Sequence, residues 1–377
     1  MYDVAVAGGS IAGLLCAREA ARAGLSVAVL EEDMEVGTPE HCGGLVSLAG
    51  LSELGIIPSP DILRGHATSA VIESPSGREV ELDAQRQRVA QVDRRQLDKQ
   101  VARQAARAGA EIEVGSTVTR ITGSSISTRT SEVPCRVAVD ARGAGTLASR
   151  DRSQVIPSSQ YEVAAPWIRR GQVRVMLDQE RYPGFFAWVI PEGAGRGRVG
   201  AARRGGGAAA AVDRIIRERG GAVTRKIHAP IWVGGPIGSF TRDGVLVAGD
   251  AAGQAKPTTA GGIFTSGMGG IMAGRAAAAS LAGDAGALDG YRGAWMSRFG
   301  PEFRRQSLAR AALERLGNGA IERLLRRVTP EAAASISAGS DFDFHAGAIA
   351  GLLGAGGLLE AAGGIAAGQA RRLLGKL

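Results

Sequence analysis

Cysteine is scarce in this sequence of 377 residues, which contains only Cys16, Cys42 and Cys135. Their odd number, wide separation and lack of a C-x-x-C spacing argue against a disulfide framework and against a zinc site. His, Asp and Glu form no cluster with the spacing of a hydrolytic or metal centre, so no metal is expected. The first strand pattern begins at once, without room for a signal peptide, and we therefore expect a cytoplasmic setting.

Lysine and aromatic residues are sparse as well. The chain has four lysines, so arginine accounts for most of the net charge of +8 and the pI of about 10. Such a charge suits nucleic acid, anionic lipid or an acidic protein, without selecting one of them. Because the arginines are scattered and only 4% of the residues are aromatic, we expect a solvated basic surface and no nucleic-acid partner.

The pattern that organises the chain is its first thirty residues. Asp3–Ala7 is a short apolar run, typical of a buried parallel strand. The glycine-rich turn Gly8–Gly13 leads into a helix, and Ser26–Leu30 predicts a second buried strand. Glu31 stands just past the end of that strand.

This spacing suits a bound dinucleotide. A pyrophosphate needs small residues at a helix N-terminus, here Gly8, Gly9 and Gly13, and an acid about 20 residues further on accepts the ribose hydroxyls, here Glu31. The middle glycine of G-x-G-x-x-G is replaced by Ser10. An ordinary glycine turn in a parallel α/β domain is the alternative.

A second signal follows the buried strand pattern Gly244–Ala248. Asp250 is placed to accept a ribityl or ribose hydroxyl, and a long Gly/Ala-rich helix follows Gly261 and Gly262. With a flavin there, the helix N-terminus would favour negative charge on the reduced ring. The alternative is a Gly-rich helix start with a capping Asp.

The segments between and after these two motifs predict both strands and helices. Two strands, Thr68–Ser74 and Arg78–Asp83, predict a hairpin, and Asp93–Ala108 predicts a helix. Tyr161–Arg204 is β-rich and predicts an antiparallel sheet. From Leu288 the chain is expected to be mostly helical, with interruptions at Gly300-Pro301, Gly317–Gly319 and Pro330.

The segment His345–Ala370 is rich in Gly and Ala. Glu360 interrupts it and its small residues have little transfer energy, so a packed helix or helix pair is expected rather than a membrane span. Peripheral contact with a membrane is the alternative, and the basic segment Arg371–Lys376 would suit an interfacial end.

Several motifs together make the chain resemble the flavoprotein monooxygenase superfamily and, in detail, the geranylgeranyl reductases, of the archaeal digeranylgeranylglycerophospholipid reductase kind. The resemblance runs from Met1 to about Arg315. The motifs are HCGGLVS at His41–Ser47, VDRRQLDKQ at Val92–Gln100, YPGFFAWVIPEG at Tyr182–Gly193 and GDAAGQAKPTTAGGIF at Gly249–Phe264.

One family motif, P-x-x-Y-x-W-x-F-P, is imperfect here. Pro183, Trp188 and Pro191 match it, whereas Phe186 replaces the tyrosine and Ile190 the phenylalanine. The missing hydroxyl leaves the exact substrate open.

The resemblance implies FAD as the cofactor, and it implies roles for residues along the chain. The pyrophosphate would contact Gly8, Gly9, Ala12 and Gly13, and Glu31 would hold the adenosine ribose. The flavin and its ribityl chain would lie near Cys42, Gly43, Leu45, Asp250, Gly262 and Ile263. Arg94 would reach the phosphate or ribityl region, unless it caps or pairs on a helix surface, and Val118 would contact adenine, unless it is an ordinary core residue.

The resemblance also implies the reaction, which is the saturation of isolated double bonds of prenyl chains. The apolar run Gly184–Ile190 would line a tunnel for hydrocarbon, or else form a sandwich core. Because an isolated alkene develops carbocation character when it is protonated, aromatic faces such as Trp188 would stabilise it. Cys42 is the candidate proton donor or positioning residue; alternatively, it makes room for the flavin.

No second glycine fingerprint follows a strand pattern, so the electrons are expected from an external donor, either ferredoxin or a reduced nicotinamide or deazaflavin. A prenyl lipid is the expected substrate, met in the cytoplasm or at the inner face of the membrane. A flavin monooxygenase acting on an apolar substrate is the first alternative. An FAD-dependent RNA-modifying protein is the second.

These observations together predict an α/β fold, in which a Rossmann-type FAD-binding domain has an inserted antiparallel β-sheet substrate domain and a helical C-terminal region. The expected boundaries are 1–150 for the FAD-binding domain with a hairpin at about 66–90, 151–240 for the substrate domain, 241–285 for the return to the FAD-binding domain, and 286–377 for the helical region.

Overall fold

The computed structural model describes residues 1–148, 151–339 and 341–352. The chain divides into two compact units, each built from three stretches of sequence. The first unit comprises Met1–Leu63, Val92–Val155 and Pro230–Phe303, and the second comprises Arg64–Gln91, Ile156–Ala229 and the residues from Arg304 onward.

The strands of the described chain are β1 (Tyr2–Ala7), β2 (Val27–Leu30), β3 (Leu45–Ser47), β4 (Leu63–His66), β5 (Ser69–Glu73), β6 (Glu79–Asp83), β7 (Val89–Val92), β8 (Ala110–Glu113), β9 (Val118–Ile121), β10 (Ser125–Thr128), β11 (Glu132–Asp140), β12 (Val155–Ala164), β13 (Gln172–Met176), β14 (Ala187–Pro191), β15 (Arg196–Ala202), β16 (Ala222–Trp232), β17 (Thr241–Arg242) and β18 (Val245–Val247).

The labelled helices of the described chain are α1 (Ile11–Arg22), α2 (Leu48–Glu53), α3 (Arg94–Arg107), α4 (Gly145–Ala148), α5 (Ala208–Arg219), α6 (Ile263–Leu281), α7 (Ala287–Leu313), α8 (Asn318–Arg326) and α9 (Pro330–Gly339), and residues 346–352 are also helical. α8 begins after Gly317 and α9 begins at Pro330, where two of the interruptions were predicted.

The first unit is built on a parallel sheet with the strand order β17-β18-β11-β1-β2-β8. Neighbouring strands from β18 to β8 run parallel, and β17 is an antiparallel edge. Val4, Ala5, Val6 and Ala7 of β1 are fully buried. Continuous burial is expected of a central parallel strand covered on both faces, so the predicted Rossmann-type α/β class is confirmed.

Helices α1 and α6 pack closely in this unit because glycines face the neighbouring backbone. A Cβ added at Gly270 would lie 2.1 Å from the carbonyl oxygen of Ala12, and one at Gly274 would lie 2.4 Å from that of Cys16. No heavier residue fits such distances without moving the helices apart. The Gly/Ala composition of the predicted helix therefore allows the two backbones to approach.

Helix α7 corrects one prediction, the break expected at Gly300-Pro301. The helix continues through Pro301. Trp295, Phe299 and Phe303, spaced by one helical turn each, are buried, and the Trp295 ring lies 5.0 Å from that of Phe299 and 4.9 Å from that of Phe303. Aromatic packing on both sides of the proline outweighs the hydrogen bond that a proline removes, a loss of about 3 kcal/mol or more.

The second unit contains a sheet with the order β16-β12-β15-β14-β13-β5-β6. The pairs from β12 to β13 are antiparallel, as predicted for Tyr161–Arg204. The predicted hairpin is confirmed as β5 and β6, but β5 pairs in parallel with β13, from Ser69 opposite Gln172 to Glu73 opposite Met176. The hairpin thus belongs to the second unit, whereas we expected it as an insertion in the first domain.

Three other details of this unit differ from the sequence expectations. β12 begins at Val155, before the β-rich region that was expected from Tyr161, and β14 begins only at Ala187, within the apolar run Gly184–Ile190. The later start of β14 has a local cause, since Gly184 has a φ of +77°, which ends the turn that precedes the strand. Helix α5 and strand β16 were not predicted; most residues of β16 are exposed or only partly buried, so it lacks the burial pattern of a core strand.

The two faces of this sheet have different surroundings. One face forms a core in which Tyr161 and Val199 pack with Val212 and Ile215 of α5. Since side chains alternate along a strand, Trp188 of β14 belongs to the other face, together with the residues that it opposes.

The C-terminal Gly/Ala-rich segment is described only in part, with residues 346–352 helical. Glu360, the remainder of His345–Ala370 and the basic segment Arg371–Lys376 lie outside the described residues. Among the described residues, we find no helix that is both long enough and apolar enough to cross a membrane.

Candidate active site

A cleft of about 310 Å³ lies in the first unit, where its parallel strands end. Gly8 follows β1, Glu31 follows β2, Ala141 follows β11 and Asp250 comes shortly after β18. Ligands of open α/β sheets bind at this edge. The walls are formed by Gly8, Gly9, Ser10, Leu30, Glu31, Glu32, Asp33, Gly37, Thr38, Pro39, Glu40, His41, Cys42, Arg94, Asp98, Ser116, Val118, Ala141, Arg142, Gly143 and Asp250.

The glycines of the first turn are required by the packing of the protein itself. Gly8 has a φ of +106°, and a Cβ there would lie 2.5 Å from the carbonyl oxygen of Ala141. A Cβ at Gly13 would lie 2.0 Å from the carbonyl oxygen of Gly8. Ser10 is exposed at the N-cap of α1 and makes no side-chain capping bond. The N-terminus of α1 therefore faces the cleft without a capping side chain.

Glu31, which follows β2, is hydrogen-bonded to the glycine turn that follows β1. Its carboxylate accepts the Gly9 backbone N–H at 2.6 Å and that of Asp33 at 3.0 Å. Burial raises the pKa of Glu31, and these two hydrogen bonds offset the rise only in part. Each carboxylate oxygen can accept more than one hydrogen bond, so this side chain is also able to accept ribose hydroxyls.

Asp250 lies at the start of the second motif. Its Oδ1 accepts the Ser266 hydroxyl at 2.8 Å, and a Cβ at Gly262 would lie 2.9 Å from the same oxygen. Burial raises the pKa of Asp250, while Ser266 and Arg94 lower it. Gly262 is the N-cap of α6, whose described first turn has neither a capping side chain nor an acidic residue.

Arg94 forms the centre of a buried polar cluster. Its Nη2 lies 3.0 Å from each carboxylate oxygen of Asp98, one turn further along α3, and its guanidinium also hydrogen-bonds to the Cys42 side chain. Burial lowers the pKa of Arg94, but Asp98 and Cys42 raise it by more, so the net direction is upward. Its Nε is buried and has no hydrogen-bond partner among the described residues.

The structure brings together seven of the residues predicted from sequence, namely Gly8, Gly9, Glu31, Cys42, Arg94, Val118 and Asp250. The remaining predicted cofactor residues of the first unit are not among those that line the cleft, namely Ala12, Gly13, Gly43, Leu45, Gly262 and Ile263. Trp188, the second catalytic candidate, belongs to the second unit. The roles assigned to all of these residues stay predictions.

The sequence argument missed several cleft residues, among them the charged residues Asp98 and Arg142. Asp98 follows Arg94 by four residues, the spacing of a helical ion pair, and this signal could have identified it. Arg142 makes two hydrogen bonds to the Asp140 carboxylate, at 3.0 and 2.9 Å. No motif marks Arg142, and only the fold brings it to the cleft.

Trp188 is held from three sides within the second unit. Its indole N–H donates to Oε1 of the buried Gln160 at 2.9 Å, and the Phe186 ring meets it edge-on at 6.1 Å between centroids. Gly200 lies directly opposite on β15. The ring is therefore fixed in place, although the residue is only partly buried.

The fold and the cleft define a class of protein, which is an α/β nucleotide-cofactor protein with a second, β-rich unit. Two helix N-termini, each without a capping side chain among the described residues, and an acid after β2 are the features of this class.

Comparison with known proteins identifies a family within this class. No family model matches the sequence. Digeranylgeranylglycerophospholipid reductase 2 of Methanothermobacter thermautotrophicus is 31% identical over 367 residues, which cover 89% of this chain and 94% of the relative. The protein of the same name from Methanopyrus kandleri is 30% identical and covers 80% of this chain and 84% of the relative.

Solved structures agree on the fold. A geranylgeranyl bacteriochlorophyll reductase-like protein from Thermoplasma acidophilum superposes with a TM-score of 0.82 at 23% identity, covering 93% of this chain and 95% of that one. The flavin-dependent brominase Bmp2, in a triple mutant form, gives 0.67 at 18% identity, covering 83% and 88%.

The chain therefore belongs to the family of digeranylgeranylglycerophospholipid reductases. The predicted family, the predicted fold class and the prediction of an oxidoreductase are confirmed.

Proposed function

We propose that this protein is an FAD-dependent reductase that saturates isolated C=C bonds of geranylgeranyl chains in membrane-lipid precursors. The observation that supports this most strongly is the identity of 31% with a digeranylgeranylglycerophospholipid reductase over 89% of the chain. The flavin-dependent enzymes among the structural neighbours support FAD as the cofactor.

The cleft of the first unit fits FAD in its chemistry. Arg94 has a buried Nε–H without an acceptor among the described residues, and a ribityl hydroxyl or phosphate oxygen would supply one. Glu31 and Asp250 supply carboxylates for the hydroxyl groups, and the N-terminus of α1 supplies backbone N–H groups for the pyrophosphate. Gly8, Gly9 and Gly13 keep side chains away from that position, and Val118 adds an apolar wall for adenine.

Reduced FAD, when bound in this cleft, would supply the hydride for the alkene. The contribution of the chain is electrostatic and positional. The first turn of α6, beginning at Gly262 and Ile263, has no acidic residue among its described positions, so its partial positive charge is available to stabilise negative charge on the flavin pyrimidine edge. Asp98 holds the Arg94 guanidinium in one orientation. Arg94 would therefore be oriented in advance for its hydrogen bond to a ribityl hydroxyl or phosphate oxygen.

Cys42 is the proposed proton donor. Hydride addition to one carbon of an alkene requires a proton at the other, and the Cys42 thiol is the acidic hydrogen of the cleft that directly contacts Arg94. Arg94 would hold the Cys42 side chain in place through this contact. Gly43 and Leu45, which follow Cys42, would position it beside the flavin.

Trp188 and Phe186 supply the proposed hydrocarbon surface of the second unit. Phe186 immediately precedes β14 and its ring meets that of Trp188 edge-on, and both residues are partly exposed. An electron-rich indole face stabilises a nearby cation, by about 2 kcal/mol or more when water is excluded. Trp188 would therefore favour the carbocation character that protonation of the alkene produces.

The electrons would come from an external donor, either ferredoxin or a reduced nicotinamide or deazaflavin, and the net charge of +8 suits an acidic partner. The proposed setting is cytoplasmic, with peripheral contact at the inner face of the membrane that contains the lipid substrate. Reduction by an acidic carrier should slow steeply as salt is raised, whereas reduction by a small nicotinamide should respond weakly.

The deciding experiment is anaerobic turnover of the FAD-loaded protein with dithionite and a geranylgeranyl lipid, followed by mass spectrometry. We expect product masses that rise in steps of about two daltons, one for each bond saturated. Oxygen consumption in step with a hydroxylated or epoxidised product would instead establish the monooxygenase alternative. A colourless protein that refuses added FAD would disprove the proposal.

A further inference from the structure

A buried amide side chain lies directly beside the turn that contains Asp250. This turn, Gly249–Gly253, separates β18 from the loop before α6, and we call it the Asp250 turn. Gln254 follows it and is fully buried. Oε1 of Gln254 accepts the backbone N–H of Gly249 at 2.7 Å, and the Gln254 N–H donates to the Gly249 carbonyl oxygen at 3.2 Å. The side chain and the backbone of Gln254 therefore both hold the first residue of the turn.

The other end of the amide is held by α7. Nε2 of Gln254 donates to the Tyr291 hydroxyl at 2.9 Å, and the buried Tyr291 ring lies 5.2 Å from that of Phe240. Chemistry sets the orientation of the amide, since the Gly249 N–H can only donate and must face the oxygen. Through Gln254, α7 is thus connected to the Asp250 turn by hydrogen bonds.

Gln254 also contacts the first turn of α6. Its carbonyl oxygen accepts the Thr265 hydroxyl at 2.5 Å, and the Thr265 carbonyl oxygen accepts the Trp295 indole N–H of α7 at 3.1 Å. Gly269 of α6 leaves the space that the amide occupies, since a Cβ there would lie 1.9 Å from Oε1 of Gln254. Gln254 is therefore the residue through which the Asp250 turn, α6 and α7 are joined by buried hydrogen bonds.

We propose that Gln254 is a positioning residue for the flavin, which holds Asp250 and the N-terminus of α6 in one fixed arrangement. This inference rests on the proposed function, in which Asp250 binds the ribityl chain and the α6 N-terminus faces the pyrimidine edge. Removal of the amide would leave the buried Gly249 N–H without its acceptor, a costly state that favours another conformation of the turn. Gly249 has a φ of +71°, and a glycine backbone does not by itself restrict the turn to this conformation.

Two variants remove these hydrogen bonds while preserving most of the packing. Gln254→Met replaces the amide with an apolar chain of similar length, and Tyr291→Phe removes only the hydroxyl. The first measurement is the dissociation constant of FAD, obtained from quenching of flavin fluorescence. We expect Gln254→Met to weaken FAD binding roughly tenfold, the effect of one buried hydrogen bond, and Tyr291→Phe to weaken it less.

The second measurement is the midpoint potential of the flavin at saturating FAD, which reports on the charges around the ring rather than on the stability of the fold. A displaced α6 N-terminus would stabilise negative charge on the reduced ring less well, so the potential should become more negative in both variants. The control is Gln104→Leu, which removes the 2.8 Å hydrogen bond from the Arg18 guanidinium between α1 and α3 of the same unit. This control should lower the melting temperature and leave the affinity and the potential unchanged.

A more negative potential in Gln254→Met supports the positioning role. A potential that is unchanged or more positive would overturn it, even if FAD binds more weakly, and so would an equal shift in Gln104→Leu. If Gln254→Met fails to fold, Tyr291→Phe decides by the same criterion. The natural protein tests the proposed function separately: a natural protein that refuses FAD disproves that function, whereas one that binds FAD with the same affinity and potential as its variants disproves only the role of Gln254.

Discussion

The indole of Trp188 lies directly over Gly200 of the neighbouring strand. A Cβ at Gly200 would be 2.2 Å from Cε2 of the ring, and the two residues are paired across β14 and β15. Glycine is therefore a requirement at this position, because any side chain would displace the ring from the sheet.

Gly200→Ala should consequently tilt Trp188 and impair the prenyl reductase reaction. We expect a loss of stability of about 1–3 kcal/mol from overpacking, and a rise in KM for the prenyl substrate as the aromatic face is displaced. Urea denaturation and steady-state kinetics measure the two effects. Gly65→Ala is the control, since a Cβ there has no neighbour within 4 Å; unchanged kinetics for Gly200→Ala would show that the ring position is unimportant.

Arg94→Lys should weaken FAD binding. Lysine keeps the charge beside Asp98 but loses the Nε–H that has no acceptor in the described protein, so the affinity for FAD should fall by roughly tenfold, the effect of one charge-assisted hydrogen bond. Quenching of flavin fluorescence on binding gives the dissociation constant. The control is Arg95→Lys, at the exposed neighbouring position. Equal affinities for the Arg94→Lys variant and the natural protein would contradict the assigned contact.

Glu31→Gln should stabilise the FAD-free protein at neutral pH while weakening FAD binding. Burial raises the pKa of Glu31, so the protonated form favours folding, and that contribution is complete below the ordinary pKa and is lost as the pH rises through the folded value. Glutamine resembles the protonated acid. The stability difference between variant and natural protein should therefore be present at pH 7 and vanish toward pH 3.

Urea titrations at several pH values measure this difference, with Glu32→Gln as the control at an exposed position. A variant that is less stable than the natural protein at pH 7 would show that the hydrogen bonds of the carboxylate outweigh its burial.

Cys42→Ala should lower the rate of product formation while leaving the FAD content unchanged, because the variant removes the proposed proton from Sγ but no proposed FAD-binding charge. Single-turnover oxidation of the reduced protein by prenyl substrate measures that rate. Cys135→Ala serves as the control because Cys135 is buried in a separate apolar core cluster of the first unit. Normal turnover of Cys42→Ala with FAD bound would rule out the chemical role.

Gly270→Ala should destabilise the first unit. The added methyl group would meet the Ala12 carbonyl oxygen at 2.1 Å, so α6 must move away from α1 at a cost of about 1–3 kcal/mol or more. Gly290→Ala, in an exposed part of α7 with no neighbour within 4 Å, should instead add about 0.5–1 kcal/mol, since alanine is the better helix former. Thermal melting measures both effects: Gly270→Ala should melt at a lower temperature than the natural protein, and Gly290→Ala at a higher one.

Local sequence was sufficient to predict the nucleotide-binding motif. Gly8, Gly13 and Glu31 were identified because a tight turn, a close helix and a strand end each restrict the residue type at a fixed spacing. The convergence of Glu31 and Asp250 on one cleft followed from the same logic, since the carboxyl ends of parallel strands meet at one edge of the sheet.

The sequence by itself thus determined the class of fold and the family and predicted several residues of the cleft, because these depend on short-range spacing. Only the tertiary structure decided that α7 continues through Pro301, that the hairpin joins the second sheet, and that Gln254 lies beside Tyr291. Each of these depends on which distant side chains pack together. Packing between distant segments compensates local energetic costs, such as that of a proline in a helix. The spacing of residues in the sequence does not reveal that compensation.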